Sequence, residues 1–123
     1  MTSFQKFLRG FVFAFQGLIY GLRTERNLKV HSLAAVLIIF TGFSFHLSSF
    51  EWLVLILCIG LVFSAELINS SLEHIADMLK LKFKLDYDDT TDMRNLAASA
   101  VLVLAIASFI VALIIFLPKI FVF

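Results

Sequence analysis

Four polar residues close an otherwise apolar run in "AELINSSLEHIAD": Glu66, Asn69, Glu73 and Asp77. Their steps of three, four and four place them on one face of a helix. Two kinds of chemistry suit such a row. A carboxylate partly withdrawn from water can accept a proton from an alcohol, which fits Glu66. A carboxylate nearer water can hold a divalent cation, and Mg²⁺ is commonly shared between one or two protein carboxylates and substrate phosphates, which fits Glu73. A second acid for that ion is available in Glu25, within the basic segment "RTERNLKVH". Plainer roles compete. Glu66 could snorkel or pair with a basic residue of another helix, and Glu73 and Asp77 could be ordinary interfacial charges. Glu25, between Arg23, Arg26 and Lys29, reads equally as one member of a surface charge cluster.

The elements that position this row are membrane helices. Of 123 residues, 61% are hydrophobic and 15% charged, the composition of a membrane protein. Ser32 to Phe50 contains one ionisable group, His46, while Trp52 to Ala65 and Leu96 to Leu117 contain none. These stretches predict three spans, at about 30–48, 51–71 and 96–117, in a single membrane domain covering 1–123. A hydrocarbon core of about 30 Å takes roughly 20 helical residues. A helix starting near Trp52 therefore leaves the core near residue 71, with Glu66 inside that boundary, Glu73 near the headgroups and Asp77 beyond them. An ionised carboxylate facing lipid costs several kcal/mol, so this face is expected to look into a bundle, a partner subunit or a wet cavity.

Orientation follows from the basic residues. Lys6, Arg9, Arg23, Arg26 and Lys29 precede the first span, and Lys80, Lys82, Lys84 and Arg94 lie between the second and third. The positive-inside rule puts the N-terminus and the loop at about 78–95 in the cytoplasm, with His46 to Glu51 as the outer turn. No cleavable signal peptide is visible, so the first helices are expected to stay in the product. Phe4, Leu8, Phe11, Phe15, Leu18 and Leu22 recur at steps of four and three, which predicts an amphipathic helix over about 3–22. It either lies in the membrane interface or tucks against the bundle, since Val12, Phe13 and Ala14 narrow its polar face. In the loop, Leu79, Leu81, Phe83 and Leu85 alternate with lysines, which suggests an extended strip touching the membrane.

Other classes fall away. A net charge of +1 gives no nucleic-acid footprint. The single cysteine, Cys58, builds neither a disulfide framework nor a thiolate metal site within one chain. His31, His46 and His74 are too few and too scattered for zinc.

Taken together, the N-terminal amphipathic helix, "GLRTERNLKVH", "AELINSSLEHIAD" and "NLAASAVLVLA" resemble the prokaryotic diacylglycerol kinase family, which includes the undecaprenol kinases. The resemblance runs roughly from Phe4 to Leu117, and the E-x-x-N-x-x-x-E-x-x-x-D row is its most specific part. It implies an all-α homotrimer, each chain contributing a surface helix and three transmembrane helices. It also implies transfer of the γ-phosphate of ATP, with Mg²⁺, to the hydroxyl of diacylglycerol or undecaprenol at the cytoplasmic face of the bacterial inner membrane. Residue by residue, it makes Glu66 the general base, and Asn69 the neighbour that holds the lipid hydroxyl or Glu66. Glu25 and Glu73 become the metal and nucleotide acids, and Asp77 a nucleotide acid one turn further out. Sites shared between subunits would explain how so small a chain without a P-loop handles a nucleotide.

One pair of positions departs. The family usually carries Lys-Asp immediately before the small-residue start of the third span, where the best register here places Arg94 and Asn95. Arginine keeps the positive charge and can fork onto phosphate oxygens, but with a different reach, while Asn95 loses a negative charge. That change motivates an alternative: a catalytically weakened member acting as a trimeric membrane lipid-binding or interaction protein.

Overall fold

The computed structural model describes residues 1–121. Four α-helices follow one another: α1 (Ser3–Thr24), α2 (Arg26–Ser44), α3 (Ser49–Phe83) and α4 (Thr91–Ile120), with a single 3-10 turn at Tyr87–Thr90 ahead of α4. No strand occurs among the described residues, so the chain is all-α, and α2, α3 and α4 are each long and apolar enough to cross a membrane.

Helix α1 starts on a reciprocal cap. The Thr2 backbone N–H donates to Gln5 Oε1 at 2.9 Å and the Gln5 N–H to Thr2 Oγ1 at 3.2 Å, which satisfies two of the donors a helix start leaves open. Residues 3–17 are exposed, and α1 meets the bundle only at its other end, through half-buried Leu18 and Leu22 and buried Gly21. A Cβ on Gly21 would sit 3.0 Å from Leu28 and 3.1 Å from Leu67. The missing side chain is what lets α1 touch α2 and α3 together. Directly after this contact Glu25 adopts φ −92°, ψ 114° and serves as both the last cap of α1 and the first of α2. Its N–H donates to the Gly21 carbonyl at 2.8 Å and its own carbonyl accepts from Lys29 at 3.2 Å. The chain therefore turns without a loop, and Glu25 is fixed at the corner.

The far end of the bundle is tied by apolar packing. Leu47, Leu55 and Phe116 are buried against Ile38, Trp52 and Ile115. A Cβ on Gly42 would fall 2.6 Å from the Trp52 ring, so only glycine admits the indole there. Ser48 and Glu51 cap α3 reciprocally, and Lys119 reaches Glu51 at 3.0 Å across to α4.

Helix α3 is the frame of the molecule. Its 35 residues give about 52 Å of helix, well beyond the ~30 Å of hydrocarbon a span must cross. The expected loop at 78–95 is accordingly shorter than the sequence suggested, and residues 79–83 are helical rather than an extended strip. Leucine and lysine are good helix formers, so propensity overrides the period-two pattern as α3 runs on past Met78. The helix stops at Lys84, which is left-handed (φ 53°), with the Leu85 N–H donating to the Lys80 carbonyl at 3.0 Å. The acidic "DYDDT" then forms a compact 3-10 turn in which the Asp86 N–H donates to Asp89 Oδ2 at 2.8 Å and Thr90 is buried.

Candidate active site

The acidic row lies on α3 at the end of the bundle where α1 docks. Glu66 and Asp77 are eleven positions apart, about 16 Å along the axis. Burial falls in the same order: Glu66 and Asn69 are only 3% and 5% exposed, Glu73 is half-buried and Asp77 is exposed.

Each acid has a specific partner. Glu66 Oε1 lies 3.2 Å from Nε2 of His31 on α2. Asn69 donates through Nδ2 to Glu73 Oε1 at 3.2 Å, while its own Oδ1 is buried without a partner. Glu25, at the α1–α2 corner, reaches Nε2 of His74 at 3.3 Å, and the His74 ring meets Tyr20 edge-on at 6.1 Å. Glu66 is within electrostatic reach of both Glu25 and Glu73. The structure therefore brings a residue from the corner before the first span up to the row on the second.

Asp77 belongs to a different cluster. Its Oδ1 accepts from an Arg94 terminal nitrogen at 2.7 Å, Arg94 Nε donates to Thr90 at 2.9 Å, and the guanidinium lies 4.8 Å from the centre of the Tyr87 ring. The Arg94 hydrogen bond holds the Asp77 carboxyl below its ordinary range. Asn95, next along α4, is exposed.

Among the described residues no three His, Cys, Asp or Glu side chains gather as a metal site. The unpartnered Asn69 oxygen, the Glu73 carboxylate that accepts from the same amide, and the Glu25 carboxylate, which meets α3 one residue further on at His74, are all hard oxygens. That set fits an ion such as Mg²⁺, which takes one or two protein carboxylates and completes its shell with water and phosphate. Beside the row, an apolar groove of about 240 Å³ runs between α2, α3 and α4, with Ala35, Val62 and Ala105 among its walls and His31 among its lining residues.

Three scattered imidazoles cannot bind zinc, and by that measure the histidines have no part in the site. The structure gives two of them another part, each against an acid. The signal was available in the burial of Glu66: a carboxylate taken out of water needs a donor, and His31 sits at the matching depth of the neighbouring span.

The comparisons with known proteins take in this whole assembly. The prokaryotic diacylglycerol kinase family matches residues 12–116. The chain belongs to that family. It is 39% identical over 118 residues to the undecaprenol kinase of Bacillus subtilis (strain 168), covering 96% of this chain and 94% of the relative. It is 34% identical over 112 residues to the diacylglycerol kinase of a Synechocystis species, covering 90% of this chain and 62% of that one. The matched stretch contains Glu25, His31, the complete row from Glu66 to Asp77, and Arg94 with Asn95.

Proposed function

We propose that this chain is an ATP-dependent lipid kinase of the bacterial inner membrane, N-terminus in the cytoplasm, that phosphorylates the hydroxyl of undecaprenol or diacylglycerol at the cytoplasmic face. The observation that carries the reading is Glu66, an acid 3% exposed at membrane depth with further oxygen donors stepping out toward water. Glu66 takes the proton of the lipid hydroxyl as its oxygen attacks the γ-phosphorus. The bond to the bridging oxygen breaks and leaves its electron pair on ADP. Asn69 offers an unpaired, buried oxygen beside the arriving headgroup.

Phosphoryl transfer asks little covalent chemistry of a protein, because alignment and charge neutralisation supply most of the acceleration. Glu25 and Glu73 are the residues that would hold Mg²⁺. When bound, the ion neutralises and aligns the phosphates of ATP. Arg94, anchored on Asp77 and Thr90, presents a planar cation that can fork onto phosphate oxygens. Asp77 and Asn95 complete the nucleotide end. The reading includes a homotrimer with sites shared between subunits and α1 lying in the interface. The open apolar faces of α1 and α4, and a metal set of only two acids per chain, support it. The weakened-member alternative is not favoured, since both relatives are named as kinases.

The test is transfer of labelled γ-phosphate by the purified chain in vesicles containing undecaprenol or diacylglycerol, with Mg²⁺ and ATP. Undecaprenol is the first lipid to try, because the relative named for it matches at higher identity over nearly its full length. Phosphorylation of either lipid is the predicted result. Failure with both, together with no ATP binding, contradicts the reading.

A further inference from the structure

Glu66 is a carboxylate with almost no access to water, and the amide closest to it along the row turns to another acid. Asn69 gives one of its two Nδ2 hydrogens to Glu73. The group that meets Glu66 comes from another helix, His31 Nε2, 3.2 Å from Oε1. Only one carboxylate oxygen is engaged this way. His31 also lines the apolar groove between α2, α3 and α4, so a lipid tail lying in that groove would pass beside the imidazole that meets Glu66.

We infer that His31 is a positioning residue for the Glu66 base: its Nε2 hydrogen, donated to Oε1, fixes the carboxylate so that the other oxygen meets the lipid hydroxyl. The inference rests on the lipid kinase reading above. In the step itself the hydroxyl proton moves to the free Glu66 oxygen, the new oxygen–phosphorus bond forms, and the old one breaks with its electron pair left on ADP. His31 keeps its own proton throughout. The logic is that of a base oriented by a third group, with histidine and carboxylate exchanging the places they hold in hydrolase triads.

The alternative is that His31 merely satisfies a buried charge, in which case its loss weakens folding or lipid binding and leaves the chemical step alone. Measuring kcat and KM separately distinguishes the two. In vesicles, His31→Leu should lower kcat by roughly 100-fold, the upper range for losing an orienting partner, with KM for ATP within about twofold, well under one unit of log affinity. His31→Gln, whose amide hydrogen can reach the same oxygen, should recover about tenfold of that loss. His31→Leu combined with Glu66→Gln should be no slower than Glu66→Gln alone, because the two residues act as a unit.

Where the leucine variant is not recovered folded, His31→Gln against His31→Asn decides. Asparagine is one methylene short and should show the lower kcat at equal thermal stability. The inference is overturned by a kcat in His31→Leu equal to wild type, by a change confined to KM, or by glutamine faring no better than the folded leucine or asparagine variant. Wild-type protein inactive on both lipids instead removes the kinase reading, and this inference with it.

Discussion

Two histidine–glutamate pairs stand at the same end of the bundle and differ in little but water. Glu66 and His31 lie 3.2 Å apart with side chains 3% and 24% exposed, while Glu25 and His74 lie 3.3 Å apart at 23% and 49%. The buried pair cannot exchange its partner for solvent, and breaking it would leave an uncompensated carboxylate at a cost of several kcal/mol. The outer pair has water as a ready substitute, and exposed pairs of this kind contribute about 0–1 kcal/mol. The same two residue types thus make a held acid in one place and an exchangeable one in the other. Position in the chain sets the difference: His31 lies within α2 against the middle of α3, whereas Glu25 sits at the corner where α1 gives way to α2.

Substitutions that cross this divide should differ in kind. Glu66→Gln is the most damaging, lowering kcat by about 10³-fold, within the usual range for a general base. Raising Mg²⁺ should not restore it. Glu25→Gln and Glu73→Gln should each lower kcat/KM for ATP by about 10–100-fold, and part of that loss should return as Mg²⁺ is raised. A Mg²⁺ dependence identical to wild type in both variants would place the metal elsewhere. Arg94→Lys with Asn95→Asp, which restores the family's usual pair, should change activity by no more than about threefold, or ~0.7 kcal/mol of barrier. A large gain would show that the native pair impairs the enzyme and would revive the weakened-member reading.

Much of this was legible in the residues, because a bilayer permits few structures. Backbone groups in hydrocarbon must be satisfied internally, so uncharged runs such as Leu96–Leu117 could hardly be anything but helices, and the spacing of Glu66, Asn69, Glu73 and Asp77 put them on one face. Contacts between helices were not legible. Nothing local links His31 to Glu66 across 35 positions, or Glu25 to His74 across 49; only the close approach of α1, α2 and α3 at Gly21 brings such partners together. The same approach turns the Glu25 carboxylate to His74. The stretch Leu79–Phe83 misled for a different reason. Alternating leucine and lysine satisfies a strand period, yet both are strong helix formers, and a helix already running through Met78 simply continues.

If Glu66 acts in the chemical step and not in assembling the site, its loss should stop transfer and spare ATP binding. Lipid phosphorylation and equilibrium ATP binding, measured side by side on wild-type protein and Glu66→Gln in the same vesicles, test this directly. The predicted result is loss of transfer to undecaprenol and diacylglycerol with ATP affinity within about twofold of wild type, well under 1 kcal/mol. Equal loss of turnover and nucleotide binding, or a Glu66→Gln protein that still phosphorylates lipid at the wild-type rate, would contradict it.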